Sequence, residues 1–204
     1  DKASITMEDR KRSYLYADEK KRKTHQKTFN NYNDFIKNLN MTISIKAITT
    51  NEIQRVTQLI NKVNQFNLTT IRLDENQVLQ LIKGDSKVLG VRLKDKFGDL
   101  GLIGVLQLWF LDNAICEVGT FLLSCRALGR KVEDETIKFL LSFLKKNNYK
   151  KVIGKYSPSK KNMQVKSFYG NFGFKQAKIE NEWYFNLSNF ILGKTEIEKV
   201  EFIE

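Results

Sequence analysis

Apolar and polar positions repeat with two different periods in the first half of the chain. From Thr42 to Ile48 apolar and polar residues alternate, which predicts a β-strand. Apolar residues then recur at helical spacing, which predicts a helix capped by Thr49 or Thr50 with the stripe Ile53, Val56, Ile60 and Val63. Asp74 predicts the cap of a shorter helix that carries Val78, Leu79, Leu81 and Ile82.

Three strand-like runs follow, with Gly and Asp at the bends between them. We expect strands over Val88–Leu93, Gly101–Phe110 and Ala114–Leu123, joined as antiparallel hairpins. A long helix over Val132–Lys146 comes next, with an acidic first turn that suits the helix dipole. The remaining pattern predicts a strand, a helix and two strands, over Lys151–Lys155, Asn162–Phe172, Lys175–Glu180 and Trp183–Leu187.

This order predicts an α/β (α+β) fold with a mixed, mostly antiparallel central sheet flanked by helices. The strand, helix and strand around Val132–Lys146 should form a right-handed parallel crossover. Before the sheet, Thr6 and Asp9 resemble a capping box for a charged helix from Glu8 to about Lys23, and a second helix covers Tyr32–Leu39. We expect residues 1–40 to form a helical linker that docks an apolar edge on a domain spanning residues 41–204.

Composition narrows the function classes. The hydrophobic fraction of 41% is enough for a hydrophobic core. The sequence has no run of about 18 apolar residues, so it predicts no membrane-spanning helix. A net charge of +12 is spread along the chain without a basic and aromatic binding motif, so we expect neither nucleic acid nor membrane as a partner. Two cysteines and one histidine favour a reducing, cytoplasmic setting and argue against a disulfide framework, a metal site and a Ser-His-Asp triad.

A basic turn at the start of the long helix is the first candidate site. Free N–H groups and the dipole at a helix start bind phosphate, and Gly129 permits close approach. The sequence Arg126-Ala127-Leu128-Gly129-Arg130-Lys131 resembles the Q/R-x-x-G-x-G/A turn of GNAT acyltransferases, with Lys131 where that family has a small residue. A plain basic helix cap is the alternative. The predicted cofactor contacts here are Leu123, Ser124, Arg126, Leu128, Gly129, Arg130 and Lys131.

A second segment adds to the GNAT resemblance. The run Asn162-x6-Tyr169-x-x-Phe172-Gly173-Phe174 is similar to the GNAT segment in which Asn contacts the cofactor arm and Tyr protonates the departing thiolate. A phenol suits that role in a partly dry site. Tyr169 as an ordinary core aromatic remains open. Glu117, on the predicted fourth strand, lies where GNAT enzymes often place a carboxylate base, and a solvent-facing strand residue is the alternative.

A narrower resemblance covers nearly the whole chain. The segments that carry it are Asn64–Arg72, Asp95–Val105 and Leu123–Glu133, which look like the C-terminal half of FkbH-like proteins, and Thr6–Tyr16, which is similar to the segment leaving their N-terminal HAD-type domain. The chain has no Asp-x-Asp-x-Thr loop and begins with Asp1, so we expect a fragment cut after that domain. The resemblance implies a glyceryl-type acyl group on coenzyme A or on the phosphopantetheine arm of an acyl carrier protein, in natural-product (polyketide) biosynthesis. The arm would lie between the fourth and fifth strands.

Two further groups complete the candidate site. Cys125 precedes a basic helix start that favours the thiolate, so it could hold an acyl group in transit, and a small buried cysteine is the alternative. The amide-rich run could bind a polar acyl group through Asn64, Phe66, Asn67, Thr69 and Arg72, or could simply order its loop.

Three functions follow from this resemblance. The first is acyl transfer within an FkbH-like enzyme. The second is N-acetylation of a small amine by a coenzyme A-dependent enzyme, and the third is non-catalytic docking of the carrier protein.

Overall fold

The computed structural model describes the backbone of residues 7–193, 197 and 199–203, and the side chains of residues 13–193 and 197. The α-helices in these residues are α1 (Met7–Gln26), α2 (Tyr32–Asn38), α3 (Ile53–Lys62), α4 (Glu75–Lys83), α5 (Val132–Lys146) and α6 (Phe168–Asn171). The strands are β1 (Thr42–Ala47), β2 (Phe66–Asn67), β3 (Ser86–Asp95), β4 (Gly98–Leu111), β5 (Ile115–Leu123), β6 (Lys151–Lys155), β7 (Lys175–Gln176), β8 (Glu182–Asn186) and β9 (Lys199–Ile203).

The strands form one mixed sheet in the order β7-β8-β6-β5-β4-β3-β1-β9. The pairs β5–β6 and β1–β9 are parallel, and the other neighbours along this order are antiparallel. Strand β2 lies off this path and pairs with the end of β5. The predicted sheet, with its parallel β5–α5–β6 crossover, is therefore confirmed.

Helices cover both faces of the sheet because alternate residues of its central strands are apolar on both sides. On β4, Leu106 and Leu108 belong to a cluster with the apolar face of α5, whereas Val105 belongs to a second cluster with the apolar residues of α3 and α4. Successive side chains of a strand point to opposite faces. Thus α5 lies on one face, and α3 and α4 lie on the other.

The N-terminal helices contribute to this core. Phe35, Ile36 and Leu39, in and just after α2, are buried within the α5-side cluster, as their predicted apolar edge requires. From α1, the buried Arg22 guanidinium donates to both carboxylate oxygens of Asp95 at the β3–β4 hairpin. The first two helices are thus fixed to the same end of the sheet as the turn before α5.

Most predicted boundaries are confirmed within two or three residues. Asp74 and Gln77 form the capping box that opens α4, with an Asp74 Oδ1 to Gln77 N distance of 2.8 Å. Thr49 precedes a single 3₁₀ turn, Thr50–Glu52, that leads into α3. The proposed Thr6 cap of α1 lies outside the described residues. No helix in the described part of the chain is long and apolar enough to cross a membrane.

Two predictions near the C-terminus were wrong in extent. The helix expected over Asn162–Phe172 is a 3₁₀ turn, Met163–Val165, followed by the four-residue α6. Asn162 uses its side chain to close the loop before this turn, which interrupts a continuous helix. The strand expected over Lys175–Glu180 stops at Gln176. Strands β2 and β9 were not predicted from the sequence.

Candidate functional site

A bulge in β5 separates this strand from its parallel neighbour β6. Thr120 pairs with Gln107 and Val118 pairs with Leu108, which leaves Gly119 as an extra residue on β5. A Cβ on Gly119 would lie only 3.0 Å from Trp109 Nε1, so glycine fits this position best. The β5–β6 ladder ends at Val118, next to the bulge, although β5 itself runs on to Leu123. A gap therefore opens between β5 and the residues that follow β6.

Residues 66–69 of the same chain fill this gap. Phe66 and Asn67, which form β2, pair with Leu123 and Leu122 of β5, and the Leu68 N–H donates to the Phe121 carbonyl at 3.0 Å. On the other side the Ser157 N–H donates to the Leu68 carbonyl at 2.7 Å. The resemblance implied that a thioester arm would lie here. An extended arm cannot pair with this edge of β5 while residues 66–69 occupy it.

Asn162 holds residues 66–69 in place. Its fully buried side chain donates from Nδ2 to the Asn67 carbonyl at 2.7 Å and to the Ser157 carbonyl at 3.0 Å. Its Oδ1 accepts from the Ser159 N–H at 2.7 Å. The predicted cofactor contact of Asn162 remains a prediction, and in this structure the amide is occupied by protein groups on both its nitrogen and its oxygen.

Tyr169 lies beside the same gap, on the α5 face of β6. Its ring covers Gly154, where an added Cβ would come within 2.4 Å of the ring. The hydroxyl is buried and has no hydrogen-bond partner of good geometry in the described residues. Burial raises the pKa of the phenol far above its ordinary value, and the nearby Cys116 and Glu117 raise it further. The phenol is protonated at neutral pH, and its raised pKa makes it a weaker proton donor than an ordinary tyrosine while it stays buried.

Glu117 lies on the opposite face of β5, in the stretch that pairs with β6. Its carboxylate forms an ion pair with Lys155 Nζ at 2.8 Å, and 18% of the Glu117 side chain is exposed. The carboxylate is thus accessible from the α3 face of the sheet. For Glu117 to accept a proton from a substrate, the Lys155 ammonium would have to move aside.

The turn before α5 has the backbone geometry expected of a tight helix start, but the N-terminal segment contacts it. Gly129 has φ +70° and Lys131 has φ +59°, so two left-handed residues lead into the helix. The Tyr32 hydroxyl donates to the Gly129 carbonyl. Lys131 Nζ donates to Asn33 Oδ1 at 2.8 Å. Residues at the start of α2 therefore border the predicted phosphate turn.

Arg130 points inward from this turn. Its guanidinium donates to Glu19 of α1 at 2.7 Å and lies 3.7 Å from the Asp95 carboxylate that Arg22 also holds. Burial is the main cause that lowers the pKa of Arg130, and the neighbouring Arg22 lowers it further. In this arrangement Arg130 ties α1 to the turn.

The two cysteines differ in their surroundings. Cys125 is exposed just after β5, and Cys116 is buried within β5. Burial, with a smaller effect of Glu117, raises the pKa of the Cys116 thiol to about 12. The alternative that Cys125 is a small buried residue was therefore wrong, and its acyl-carrying role remains a prediction.

The amide-rich loop is largely engaged with itself. Arg72 donates to the carbonyls of Ile60 and Val63 at the end of α3 and to Asn64 Oδ1. Asn67 Oδ1 accepts the Thr70 N–H at 2.8 Å. Phe66 packs in the core against Phe121 and Phe168. These contacts order the loop, and the Thr69 hydroxyl is its buried polar group without a partner in the described residues.

A residue that the sequence analysis did not select lies near this site. Arg55 of α3 is half-buried and donates to the Leu102 carbonyl from Nε at 3.4 Å and from Nη2 at 3.3 Å. The apolar stripe of its helix indicated only packing against the sheet, and no motif marked Arg55 as functional.

A separate cavity in the structure contains none of the site residues predicted from the sequence. A cavity of about 640 Å³ between α5, α6 and the segment after β8 is lined by residues such as Lys138, Phe172 and Phe190, with none of the predicted site residues. In the described part of the chain no three His, Cys, Asp or Glu side chains are grouped so as to hold a metal.

Comparison with solved structures finds proteins of similar fold, whereas comparison of the sequence finds none. No protein-family model matches the sequence, and no curated protein matches it. Among solved structures, the chain is similar to a GNAT-family acetyltransferase from Staphylococcus aureus Mu50, with a TM-score of 0.53, 17% identity, and coverage of 71% of this chain and 99% of the other. It is also similar to spermidine N-acetyltransferase from Vibrio cholerae in complex with coenzyme A and spermine (TM-score 0.54, 13% identity, coverage 72% and 96%). A third is an aminoglycoside acetyltransferase in complex with coenzyme A (TM-score 0.55, 14% identity, coverage 71% and 94%). These likenesses, together with the β5 bulge and the parallel β5–β6 crossover, show that the chain has the GNAT acetyltransferase fold.

Proposed function

We propose that this domain transfers an acyl group from a thioester, carried on coenzyme A or on the phosphopantetheine arm of an acyl carrier protein, within an FkbH-like enzyme. The observation that carries the proposal is the Tyr169 hydroxyl, which is buried beside the β5–β6 gap and makes no hydrogen bond of good geometry in the described residues, although the Lys155 backbone lies close enough to affect its pKa. Buried hydroxyls normally have a partner, so an unpartnered one at a gap between strands points to a group that binds there.

The residues around the gap suit each step of acyl transfer. The hydroxyl or amine of the acceptor attacks the thioester carbonyl carbon, and its proton passes to Glu117. The carbon–sulfur bond breaks, and the thiolate takes the proton of Tyr169. Glu117 then releases its proton to solvent on the α3 face, and the phenolate takes a proton from water that enters the gap as the products leave, which restores both groups. A route through Cys125 would place the acyl group on its exposed thiol first and release it to the acceptor afterwards.

Two kinds of likeness support a thioester substrate. The similar structures from Vibrio cholerae and of the aminoglycoside acetyltransferase were obtained with coenzyme A. The segments that resemble FkbH-like proteins favour a carrier-bound acyl group instead of free acetyl-coenzyme A. Carrier proteins are acidic, and a net charge of +12 favours association with such a partner. Pairing of an N-terminal HAD domain with this chain is part of the same proposal.

Residues 66–69 set a condition on this reaction. Because they pair with the edge of β5 at Phe121–Leu123, the thioester arm requires either their displacement or a path over them. Phe66 and Leu68 are buried in the core and Asn162 holds the Asn67 carbonyl, so displacement would also expose apolar side chains, and a path over the segment is the less costly of the two routes.

The substitution Tyr169→Phe tests the proposed proton donor. The hydroxyl has at most a poorly aligned contact with the Lys155 backbone to lose, so we expect the thermal stability to change by less than about 1 kcal/mol. Transfer from an acyl-loaded carrier protein, or from acetyl-coenzyme A, should fall by roughly 10²-fold or more. The same transfer assay is run on Glu117→Gln, which tests the proposed base, and on Cys125→Ala, which tests the proposed acyl carrier. Turnover of acetyl-coenzyme A with a small amine, and none with the carrier, would favour an N-acetyltransferase instead.

A second candidate function, docking of the carrier protein without catalysis, is favoured by the filled gap and by the internal contacts of Asn162. It predicts that the carrier binds while Tyr169→Phe, Glu117→Gln and Cys125→Ala all leave product formation by the complete enzyme unchanged. Absence of any amide NMR shift near Gly129–Lys131 and Leu68 on addition of coenzyme A or phosphopantetheine would count against both functions.

A further inference from the structure

We propose that a groove beside the edge of β8 binds an extended, acidic peptide segment of a partner protein. This β8 groove consists of two neighbouring cavities, of about 640 and 760 Å³, whose linings share Tyr184 and Asn186. Each cavity has the size of a small-molecule site, so two in succession suit a longer occupant. The groove contains none of the residues assigned to acyl transfer, and the proposal therefore stands independently of the proposed function.

Lysine supplies the charged side chains that line the β8 groove. These lysines are Lys138, Lys145, Lys150, Lys151 and Lys175. No described Asp or Glu residue lines either cavity. Among the described residues, Lys138 is the one lysine of this set with an ion pair, to Glu135 at 2.9 Å. Lys145 Nζ donates instead to the Phe190 carbonyl at 2.6 Å. The groove therefore presents positive charge that an acidic occupant complements.

Apolar side chains line the first cavity between its lysines. They are Leu141, Phe172, Phe185, Phe190 and Ile191. The rings of Phe174, Phe185 and Phe190 follow one another, with centroids 5.1 and 6.4 Å apart, so the floor of this cavity is continuous with the core. At the rim, Ile191 and the next residue, Leu192, are 88% and 63% exposed. Adjoining exposed apolar residues are typical of interaction surfaces, so the occupant should carry apolar side chains as well as acids.

Amide side chains and an open strand edge favour an extended peptide. The asparagines that line the two cavities are Asn148, Asn171, Asn186 and Asn189. An asparagine amide offers a donor and an acceptor, as a peptide group does. In addition, β7 pairs with Trp183 and Tyr184 of β8, which leaves this edge of the strand at Phe185 and Asn186 without a neighbouring strand in the described part of the chain. Extended peptides bind at such edges, where main-chain hydrogen bonds give affinity and side-chain pockets give specificity.

The same lining suits nucleic acid less well. No described arginine lines the β8 groove. The planar guanidinium fork matches phosphate oxygens in pairs, whereas the lysine ammonium is a compact charge that serves single carboxylates as well. The aliphatic side chains of Leu141 and Ile191 also have no counterpart in a sugar–phosphate backbone. A peptide with acidic and apolar residues matches both parts of the lining.

Selection from a random peptide library displayed on phage, with the folded chain as the target, tests the charged part of the groove. We expect the enriched peptides to combine Asp or Glu with apolar residues. A labelled synthetic copy of an enriched peptide should bind roughly tenfold more weakly to the double variant Lys150→Glu/Lys175→Glu, and more weakly as salt rises. Both lysines are exposed, so this variant should fold. Lys62→Glu/Lys83→Glu makes the same charge change in the last turns of α3 and α4, outside the groove, and should bind as the wild type does.

The substitution Ile191→Ser tests the apolar part of the groove. Because the side chain is exposed, thermal stability should stay at the wild-type value, whereas affinity for the same labelled peptide should fall roughly fivefold. Ile179→Ser is the matched control, since Ile179 is 64% exposed and does not line the groove. Equal affinities for Ile191→Ser and Ile179→Ser would contradict an apolar contact at the rim.

Three outcomes would overturn the proposal. The first is failure of the library to yield acidic peptides, or equal weakening by the two double lysine variants. The second is binding of a single-stranded oligonucleotide, or of phosphatidylserine vesicles, as tight as that of the peptide, which would assign a general anion surface. The third is self-association of the wild-type chain that Lys150→Glu/Lys175→Glu abolishes, which would assign the groove to a second copy.

Discussion

The Nδ2 atom of Asn162 lies 2.7 Å from the carbonyl oxygen of Asn67, which joins two segments that are 95 residues apart in the chain. This hydrogen bond connects the loop after β6 to the residues that occupy the gap beside β5. The position of one side chain therefore controls whether that gap is closed.

Replacing Asn162 with alanine should release residues 66–69. The substitution leaves the Asn67 and Ser157 carbonyls and the Ser159 N–H without their buried partner, so we expect a loss of about 2 to 4 kcal/mol in the free energy of unfolding. Hydrogen exchange at the Leu68 amide should accelerate by more than the global loss accounts for. Asn147→Ala removes an exposed side chain with one backbone contact and should change little. Unchanged exchange at Leu68 would show that Asn162 does not hold the segment.

Replacing Gly154 with alanine should displace Tyr169. The new Cβ would lie 2.4 Å from the Tyr169 ring, and the ring is enclosed in the core, so overpacking should cost about 1 to 3 kcal/mol of stability. Thermal unfolding measures this cost, and the near-ultraviolet circular dichroism reports the ring. Gly193→Ala places a Cβ in open space and serves as the control. Equal melting temperatures for the two variants would contradict the packing described.

Replacing Asp95 with asparagine should weaken the attachment of α1. The amide oxygen still accepts the Phe97 and Gly98 N–H groups, but Glu19 is then the one acid left beside both Arg22 and Arg130, so one of the two positive charges is unpaired. An uncompensated buried charge typically costs about 3 to 5 kcal/mol. Urea unfolding gives the change. Asp99→Asn, at an exposed position of the same hairpin, should stay near wild type. A stable Asp95→Asn variant would mean that α1 does not depend on this ion pair.

Thiol labelling should distinguish the two cysteines. With a pKa of about 12, Cys116 has roughly one thiolate in ten thousand at pH 8, and it is fully buried as well. Cys125 is exposed. A thiol reagent should therefore modify one site per folded chain, and Cys125→Ala should abolish that reaction, as intact mass measures. Modification of Cys116 in the folded chain would be inconsistent with the core described.

Glu133 should make stability depend on pH. Burial raises the pKa of its carboxyl, with a smaller effect of Asp134, so the folded chain binds this proton more tightly than the unfolded chain. Stability from this group is present at low pH and is lost as the pH rises from about 4 towards neutrality. Glu133→Gln should therefore raise the melting temperature at pH 7 and not at pH 4. Glu75→Gln, in the first turn of α4, is the control for loss of a helix-start charge. A gain at both pH values would contradict the sign.

Local patterns of the sequence determined most of the elements. The alternation at Thr42–Ile48, the capping box at Asp74 and the acidic start of α5 all depend on residues within one turn or one strand, and the structure confirms them. The GNAT resemblance could be recognised in the sequence for the same reason, because the turn at Arg126–Lys131 and the segment at Tyr169 are short and contiguous. The prediction that this order forms a mixed, mostly antiparallel sheet followed from the same patterns.

The tertiary structure decided what occupies the site. Strand β2 is two residues long and gains its pairing only from the edge of β5 that the Gly119 bulge exposes, so no local pattern could predict it. The contact of α2 with Gly129, the inward ion pairs of Arg130, and the hydrogen bonds of Arg55 to the Leu102 carbonyl likewise join distant segments. Sequence periodicity determines which face of an element is apolar. Which polar groups meet at the end of β5 depends on how the whole chain folds.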